Sequence, residues 1–174
     1  MVIVVKKKAF GVEIPLIMQE IRALAPNQDA LVGRIIKLDL TRALKGKNLE
    51  ANIIIKKENE KLVGEFVSAR LLPSYILRAI RKGISYIEDS FVCPGKEASI
   101  IIKPFMITRK KVNRNVRKAL RNKAKEVLSE FAKERSTKEI FSSVLYGGMQ
   151  KELATQLKKI YPLSFAEIRM IKVK

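Results

Sequence analysis

The chain has 174 residues, enough to bury roughly two-thirds of its unfolded surface in one core. Lysine and arginine number 36 against 17 aspartates and glutamates, a formal charge of +19, with no histidine, no tryptophan and one cysteine. Those counts exclude an internal disulfide, a cysteine-based zinc site and the Ser-His-Asp and Cys-His catalytic arrangements, and they point to a polyanionic partner.

The first half reads mainly as strands. Residues 2–5 are β-branched, and 10–14 alternate loosely up to Pro15. Leu16, Ile17, Ile21 and Leu24 suggest a short helix or irregular segment over 15–24, ended before Pro26. Strands are expected at 31–40, 49–57 and 62–68, with turns at Lys45-Gly46-Lys47-Asn48 and Asn59-Glu60. Pro73 opens a helix that Gly83 closes, with Ile76, Leu77 and Ile80 on one face and Arg78, Arg81 and Lys82 on the other.

Residues 84–92 and 98–107 read as a hairpin with a type II turn at Pro94-Gly95, and Pro104 within the second strand implies an edge or a bulge. From residue 108 the period changes. Val112, Val116, Ala119, Leu120, Val127, Leu128 and Phe131 recur at helical spacing. Ser136 and Glu139 form a capping box opening a second helix that ends near Gly147-Gly148. Met149, Leu153, Leu157 and Ile160 stripe a third, and a strand over 165–173 ends the chain. The expectation is one α+β domain over 1–174, with 1–9 a short basic arm. Its curled or barrel-like, mostly antiparallel sheet has about six or seven strands, and three to four helices pack on one side.

No apolar run approaches the 18 residues of a bilayer span. Residues 1–5 are apolar and precede the lysines at 6–8, the reverse of a signal peptide. With the lone Cys93 this order suggests a cytoplasmic protein. An anionic membrane surface ranks behind nucleic acid as partner.

The densest charge lies at 103–125, where ten cations occur in 23 residues without one acid. On a helical wheel Arg114, Arg117, Lys118, Arg121 and Lys125 share an arc of about 100° facing away from the apolar stripe. A solvated face normally interleaves glutamate four residues away. Its absence favours phosphate contact, and the arginines favour bidentate recognition. Arg109, Lys110 and Lys111 lead into this helix. Arg70, Arg78, Arg81 and Lys82 form a second cluster, read either as cations suiting a helix C-terminus or as contacts to the same polyanion. The few aromatics do not interleave with the basic run, so base stacking in the manner of single-strand binders is not expected. Glu88 and Asp89, adjacent on a strand, would point to opposite faces and share no catalytic site. No enzyme, metal, cofactor or small-molecule substrate is indicated. On residues alone a structural RNA binder and a sequence-tolerant DNA-binding or nucleoid-type protein both remain open.

Several blocks in order resemble the archaeal–eukaryotic small-subunit ribosomal protein family S-three-Ae, also written e-S-one. They are Leu31-Val-Gly-Arg-Ile-Ile-Lys-Leu-Asp-Leu40, Gly64-Glu-Phe66 through Tyr75-Ile-Leu-Arg-Ala-Ile-Arg-Lys-Gly-Ile-Ser-Tyr-Ile87, Thr108-Arg109 through Val116-Arg117, and Lys159-Ile-Tyr-Pro-Leu163 followed by Glu167-Ile-Arg169. The last is the most specific, and the resemblance covers about residues 10–174. Where the family's hairpin often has Asp-Gly-Tyr, this chain has Cys93-Pro-Gly-Lys-Glu97. The resemblance implies a barrel-like domain on the platform of the small subunit, near the messenger exit and the 3′ end of the ribosomal RNA. It implies ribosomal RNA, neighbouring platform proteins and messenger RNA near the exit as partners, and no catalysis.

Affinity for ribosomal RNA is therefore expected to fall steeply with salt, each phosphate contact adding about 0.7–0.9 to the log–log slope. Filter binding over a salt series measures it, and a flat profile contradicts the charge reading.

Overall fold

The computed structural model describes residues 7–44, 47–58 and 61–174. The strand expected at 2–5, the Lys45-Gly46 part of the first turn and the Asn59-Glu60 connection lie outside the described residues.

Among the described residues nine strands form one sheet: β1 (Lys8–Ile14), β2 (Gln19–Ala25), β3 (Ile35–Asp39), β4 (Leu49–Glu58), β5 (Lys61–Leu71), β6 (Tyr86–Glu88), β7 (Phe91–Pro94), β8 (Ser99–Thr108) and β9 (Leu163–Val173). Four α-helices accompany them among the described residues: α1 (Pro73–Ala79), α2 (Arg114–Glu134), α3 (Thr137–Tyr146) and α4 (Gly148–Lys158). The main path runs β2-β1-β5-β9-β8-β6, with β3-β4 branching from β5 and β7 from β8. Of the described strands only β1 and β5 pair parallel. Among the described residues no pairing closes the sheet, so it is open and not a closed barrel. Strand β1 begins at Lys8, inside the segment expected to be an arm.

The segment over 15–24 departs from expectation. A single 3-10 turn at Pro15–Ile17 leads to Met18 in the left-handed region at φ 51°, and β2 then returns antiparallel along β1. Ala23 and Ala25 face inward while Leu24 points to solvent, so the buried side of this strand consists of small residues that carry little hydrophobic signal.

Strand β5 changes faces along its length. Leu62 and Phe66 point into the core, and so do Ala69 and Leu71, which stand at the opposite parity. A register shift against β4 at Asn52/Ile53 absorbs the extra residue, the β-bulge solution that keeps both halves' apolar sets buried. The bulge expected at Pro104 is present, because β8 shifts register against β9 between Lys103 and Pro104. The strand expected over 84–92 is split into β6 and β7, both paired to β8. Asp89 Oδ1 accepts the Ser90 N–H at the break. Gly95 is not among the positive-φ glycines, so the hairpin turn is not type II. There the backbone closes by Gly95 N–H donating to Ala98 O at 3.2 Å, and that same oxygen would lie 2.7 Å from a Cβ at Gly95.

Helix α1 is shorter than expected. Ile80 is already extended and Gly83, at φ 80°, sits in the loop beyond. Ile76 is buried, but Leu77 is 67% exposed, so the three-residue apolar face does not form. Helix α2 rests on β6, β7 and α4, whereas α3 and α4 rest on β9. Phe141 of α3 packs against Phe66 of β5, the rings tilted by 39° with centroids 5.7 Å apart. The Ser136–Glu139 capping box and the left-handed Gly147 are both formed. A second, smaller core of Val12, Ala23, Ala25, Leu31, Ile55 and Leu62 lies under the β1–β2 hairpin.

Gly64 is buried where β5 meets both β1 and β4; an added Cβ would stand 2.7 Å from Ile53 Cγ2 and 3.0 Å from Ile14 Cγ1. Gly64→Ala is expected to lower stability by about 1–3 kcal/mol through overpacking. Urea denaturation measures it, and an unshifted midpoint would show that the interior has slack at this crossing.

Candidate nucleic-acid interface

Helix α2 is held by Leu120, Ala124, Val127, Leu128, Phe131 and Ala132, all buried. That seat turns the opposite arc to solvent, and Arg114, Lys118, Arg121 and Lys125 are exposed there. Arg117 stands at the margin. It is half-buried, and its Nε is enclosed without a hydrogen-bond partner. Lys123, on the apolar side, reaches out to Glu126 at 3.0 Å. The first turn of α2 contains no acid and Asn113 supplies no side-chain cap. The positive end of the helix dipole therefore coincides with Arg114 and with exposed Arg109, Lys110 and Lys111.

The entry loop is fixed by a hydrogen-bonded clamp that local sequence patterns do not reveal. Ser85 and Thr108 are both buried. The Ser85 N–H donates to Thr108 Oγ1 at 3.0 Å and the Thr108 N–H to Ser85 O at 3.1 Å. The Thr108 hydroxyl donates to Lys110 O at 2.6 Å, and the Val112 N–H donates to Ser85 Oγ at 3.1 Å. Ser85, at the end of the loop after α1, is thereby tied to residues 108–112. As a result Arg81 and Arg109, 28 positions apart, line one surface groove with Ile84, Ile107, Ser164 and Phe165. Lys82 is exposed beside Arg81. Arg78 lies over the Tyr75 ring at 5.7 Å.

Arg70 differs from the α2 cations. It faces Glu50 across the β4–β5 ladder and bonds it through Nε and Nη2, both at 3.1 Å, while Lys37 holds the other oxygen at 2.9 Å. The lysine first, and then the arginine, hold the Glu50 carboxyl below its ordinary range. Other acids of the sheet and its loops are likewise engaged: Glu65 with Lys56, Asp29 with Lys57, Glu13 with Lys61 and Glu167 with Lys47. Among the described residues no salt bridge involves Arg81, Lys82, Arg109, Lys110, Lys111, Arg114, Arg117, Lys118, Arg121 or Lys125.

The remaining candidates have structural duties. Glu88 binds Arg169 and accepts the Tyr86 hydroxyl at 2.8 Å, whereas Asp89 caps the chain at Ser90. Burial first, and then the Glu88 bond, push the Tyr86 phenol up to about 12. Cys93 is buried against Ser129 of α2, and burial pushes its thiol up, away from the reactive thiolate. Among the described residues no group of metal-ligating side chains occurs, and no helix is long and apolar enough to cross a membrane.

The chain matches the Ribosomal S3Ae family over residues 4–174. It is 31% identical over 121 residues to a small ribosomal subunit protein eS1 of Saccharolobus solfataricus, covering 69% of this chain and 58% of that relative. Over 174 residues it is 27% identical to the small ribosomal subunit protein eS1 of Nanoarchaeum equitans, covering 94% of this chain and 87% of that protein. A Saccharolobus islandicus protein of the same name is 29% identical over 121 residues, again with 58% of its length spanned.

Thr108→Val leaves the buried Ser85 N–H and Lys110 carbonyl without their partner. It is expected to cost about 1–3 kcal/mol of stability and to speed hydrogen exchange at the Ser85 amide. Thr108→Ser is expected to restore most of both. Unchanged stability and protection in the valine variant would contradict the clamp.

Proposed function

This chain belongs to the ribosomal S3Ae family, and from that we propose that it is a structural constituent of the small ribosomal subunit, binding ribosomal RNA through the basic face of α2 and its entry loop. The observation that carries the reading is the separation of charge. Carboxylates pair Lys37, Lys47, Lys56, Lys57 and Lys61 of the sheet and its loops, while among the described residues the cations of 109–121 and Lys125, massed on one helix and one clamped loop, have no salt-bridge partner. Phosphate oxygens are the ligands such a surface lacks. Contacts go mainly to phosphate and ribose, so recognition follows the shape of folded RNA more than its sequence. Arg78, Arg81 and Lys82 extend the surface at the α1 side. Arg70, which shares Glu50 with Lys37, contributes its outer edge only.

The family supplies the rest of the reading. The protein acts in the cytoplasmic ribosome, on the platform near the messenger exit and the 3′ end of the ribosomal RNA, beside neighbouring platform proteins and messenger RNA. The family is one of ribosomal structural proteins, not of enzymes.

Replacing Arg114, Arg117, Lys118 and Arg121 together by Ala is expected to lower the salt slope of ribosomal RNA binding by about 3–4 and to impair entry into the subunit. Circular dichroism checks that the helix persists. Normal incorporation of the variant would sink the assignment of this face, and duplex DNA competing as well as structured RNA would favour a nucleoid-type role instead.

A further inference from the structure

We propose that the groove between the α1–β6 loop and the β8–α2 junction seats one unpaired nucleotide of the bound RNA, its base against Phe165 and its phosphate between Arg81 and Arg109. The proposal rests on the RNA-binding reading above and names what one part of that surface selects.

The groove has a volume of about 500 Å³, within the range of about 300–1,000 Å³ that holds small ligands. Its lining divides by chemistry. Ala79, Ile84 and Phe165 supply apolar surface above the buried Ile107, Arg81 and Arg109 supply charge, and exposed Ser164 supplies a hydroxyl. No carboxylate lines it, and neither arginine has a salt-bridge partner among the described residues. An anionic ligand with a flat apolar part matches this set, and a nucleotide is such a ligand.

The ring is held in place from behind. Phe165 packs at 5.8 Å against Phe105 and at 6.0 Å against Tyr75, Phe105 stacks at 6.0 Å on Tyr86, and Arg78 covers Tyr75. A ring braced by two others loses little freedom when a base stacks on it. The groove walls are equally fixed, because Ile84 precedes Ser85 and Thr108 separates Ile107 from Arg109, which puts the Ser85–Thr108 clamp directly behind both rims.

Continuity with the phosphate face favours RNA over a peptide. Arg109 begins the Arg109-Lys110-Lys111 loop that enters α2, so a backbone tracking the helix face arrives at the groove mouth. A base in a continuous duplex is stacked between neighbours and enters only after extrusion, which costs a few kcal/mol. A bulged or looped nucleotide avoids most of that cost. Only Ser164 offers a side-chain hydroxyl to a base edge or a ribose, so the seat selects an unpaired position without strong preference among bases.

The test uses the full chain and two RNA hairpins of equal length, one with a single bulged 2-aminopurine and one with 2-aminopurine paired in the stem. The bulged hairpin is expected to bind about tenfold tighter, with its fluorescence changing as the base stacks. Phe165→Leu is expected to abolish the preference and the fluorescence change while leaving affinity for the paired hairpin as it was. Phe165→Tyr, which keeps a ring, retains both. Equal affinity of the wild-type chain for the two hairpins overturns the proposal and leaves the groove to a protein ligand. So does a preference that survives Phe165→Leu. The four-residue α2 variant separates the two levels. If it binds both hairpins like the wild type, the phosphate face itself is misassigned, whereas the bulge preference and its dependence on Phe165 decide the groove alone.

Discussion

Mutual repulsion among 36 cations, opposed by 17 acids, is the constraint under which this chain folds. The acids of the sheet are placed where strands bring lysines together. Glu50 serves Lys37 on β3 and Arg70 on β5, and Glu65 and Glu13 serve Lys56 and Lys61. Each exposed pair contributes only about 0–1 kcal/mol. Their collective effect is positional: they pair cations of β3, β4 and β5, whereas among the described residues the dense run Arg109, Lys110, Lys111, Arg114, Arg117, Lys118, Arg121 and Lys125 has no salt bridge. That helix persists despite like charges three and four residues apart because its other face buries Leu120, Leu128 and Phe131 against the strands and α4. Hydrophobic packing holds in place a surface that electrostatics alone would disperse.

The Ser85–Thr108 clamp gives that surface a fixed shape. Loops rich in lysine and arginine ordinarily sample many conformations, and ordering them on binding costs affinity. Here four hydrogen bonds fix Ser85, and the loop that leads into it, against residues 108–112 in the free chain. Two basic segments distant in sequence thus become one continuous rim, and the aromatic stack behind Phe165 closes the floor of the groove between them.

Legibility in the sequence followed the range of the forces involved. Elements with local punctuation were readable: the Ser136–Glu139 box, Gly147 after α3, the hairpin at Pro94 and the bulge at Pro104. The apolar stripe of α2, and with it the exposed arc of Arg114, Lys118, Arg121 and Lys125, follows from helical periodicity alone. Strand β2 was not legible, because its inward residues are Ala23 and Ala25 and its most hydrophobic one, Leu24, faces out. The end of α1 at Ala79 and the exposure of Leu77 depend on where the sheet lies. The same holds for the site. That Arg70 has a carboxylate partner follows from the β4–β5 register, and that Arg81 meets Arg109 follows from a buried serine and threonine 23 positions apart. Neither relation leaves a local mark.

Lysine acetylation footprinting of the protein, free and bound to small-subunit ribosomal RNA, tests the separation of charge most directly. Lys110, Lys111, Lys118 and Lys125 should lose reactivity on binding, while Lys37, Lys56, Lys57 and Lys61, which already have carboxylate partners, should keep theirs. Protection of the sheet lysines with the α2 lysines still reactive would contradict the account.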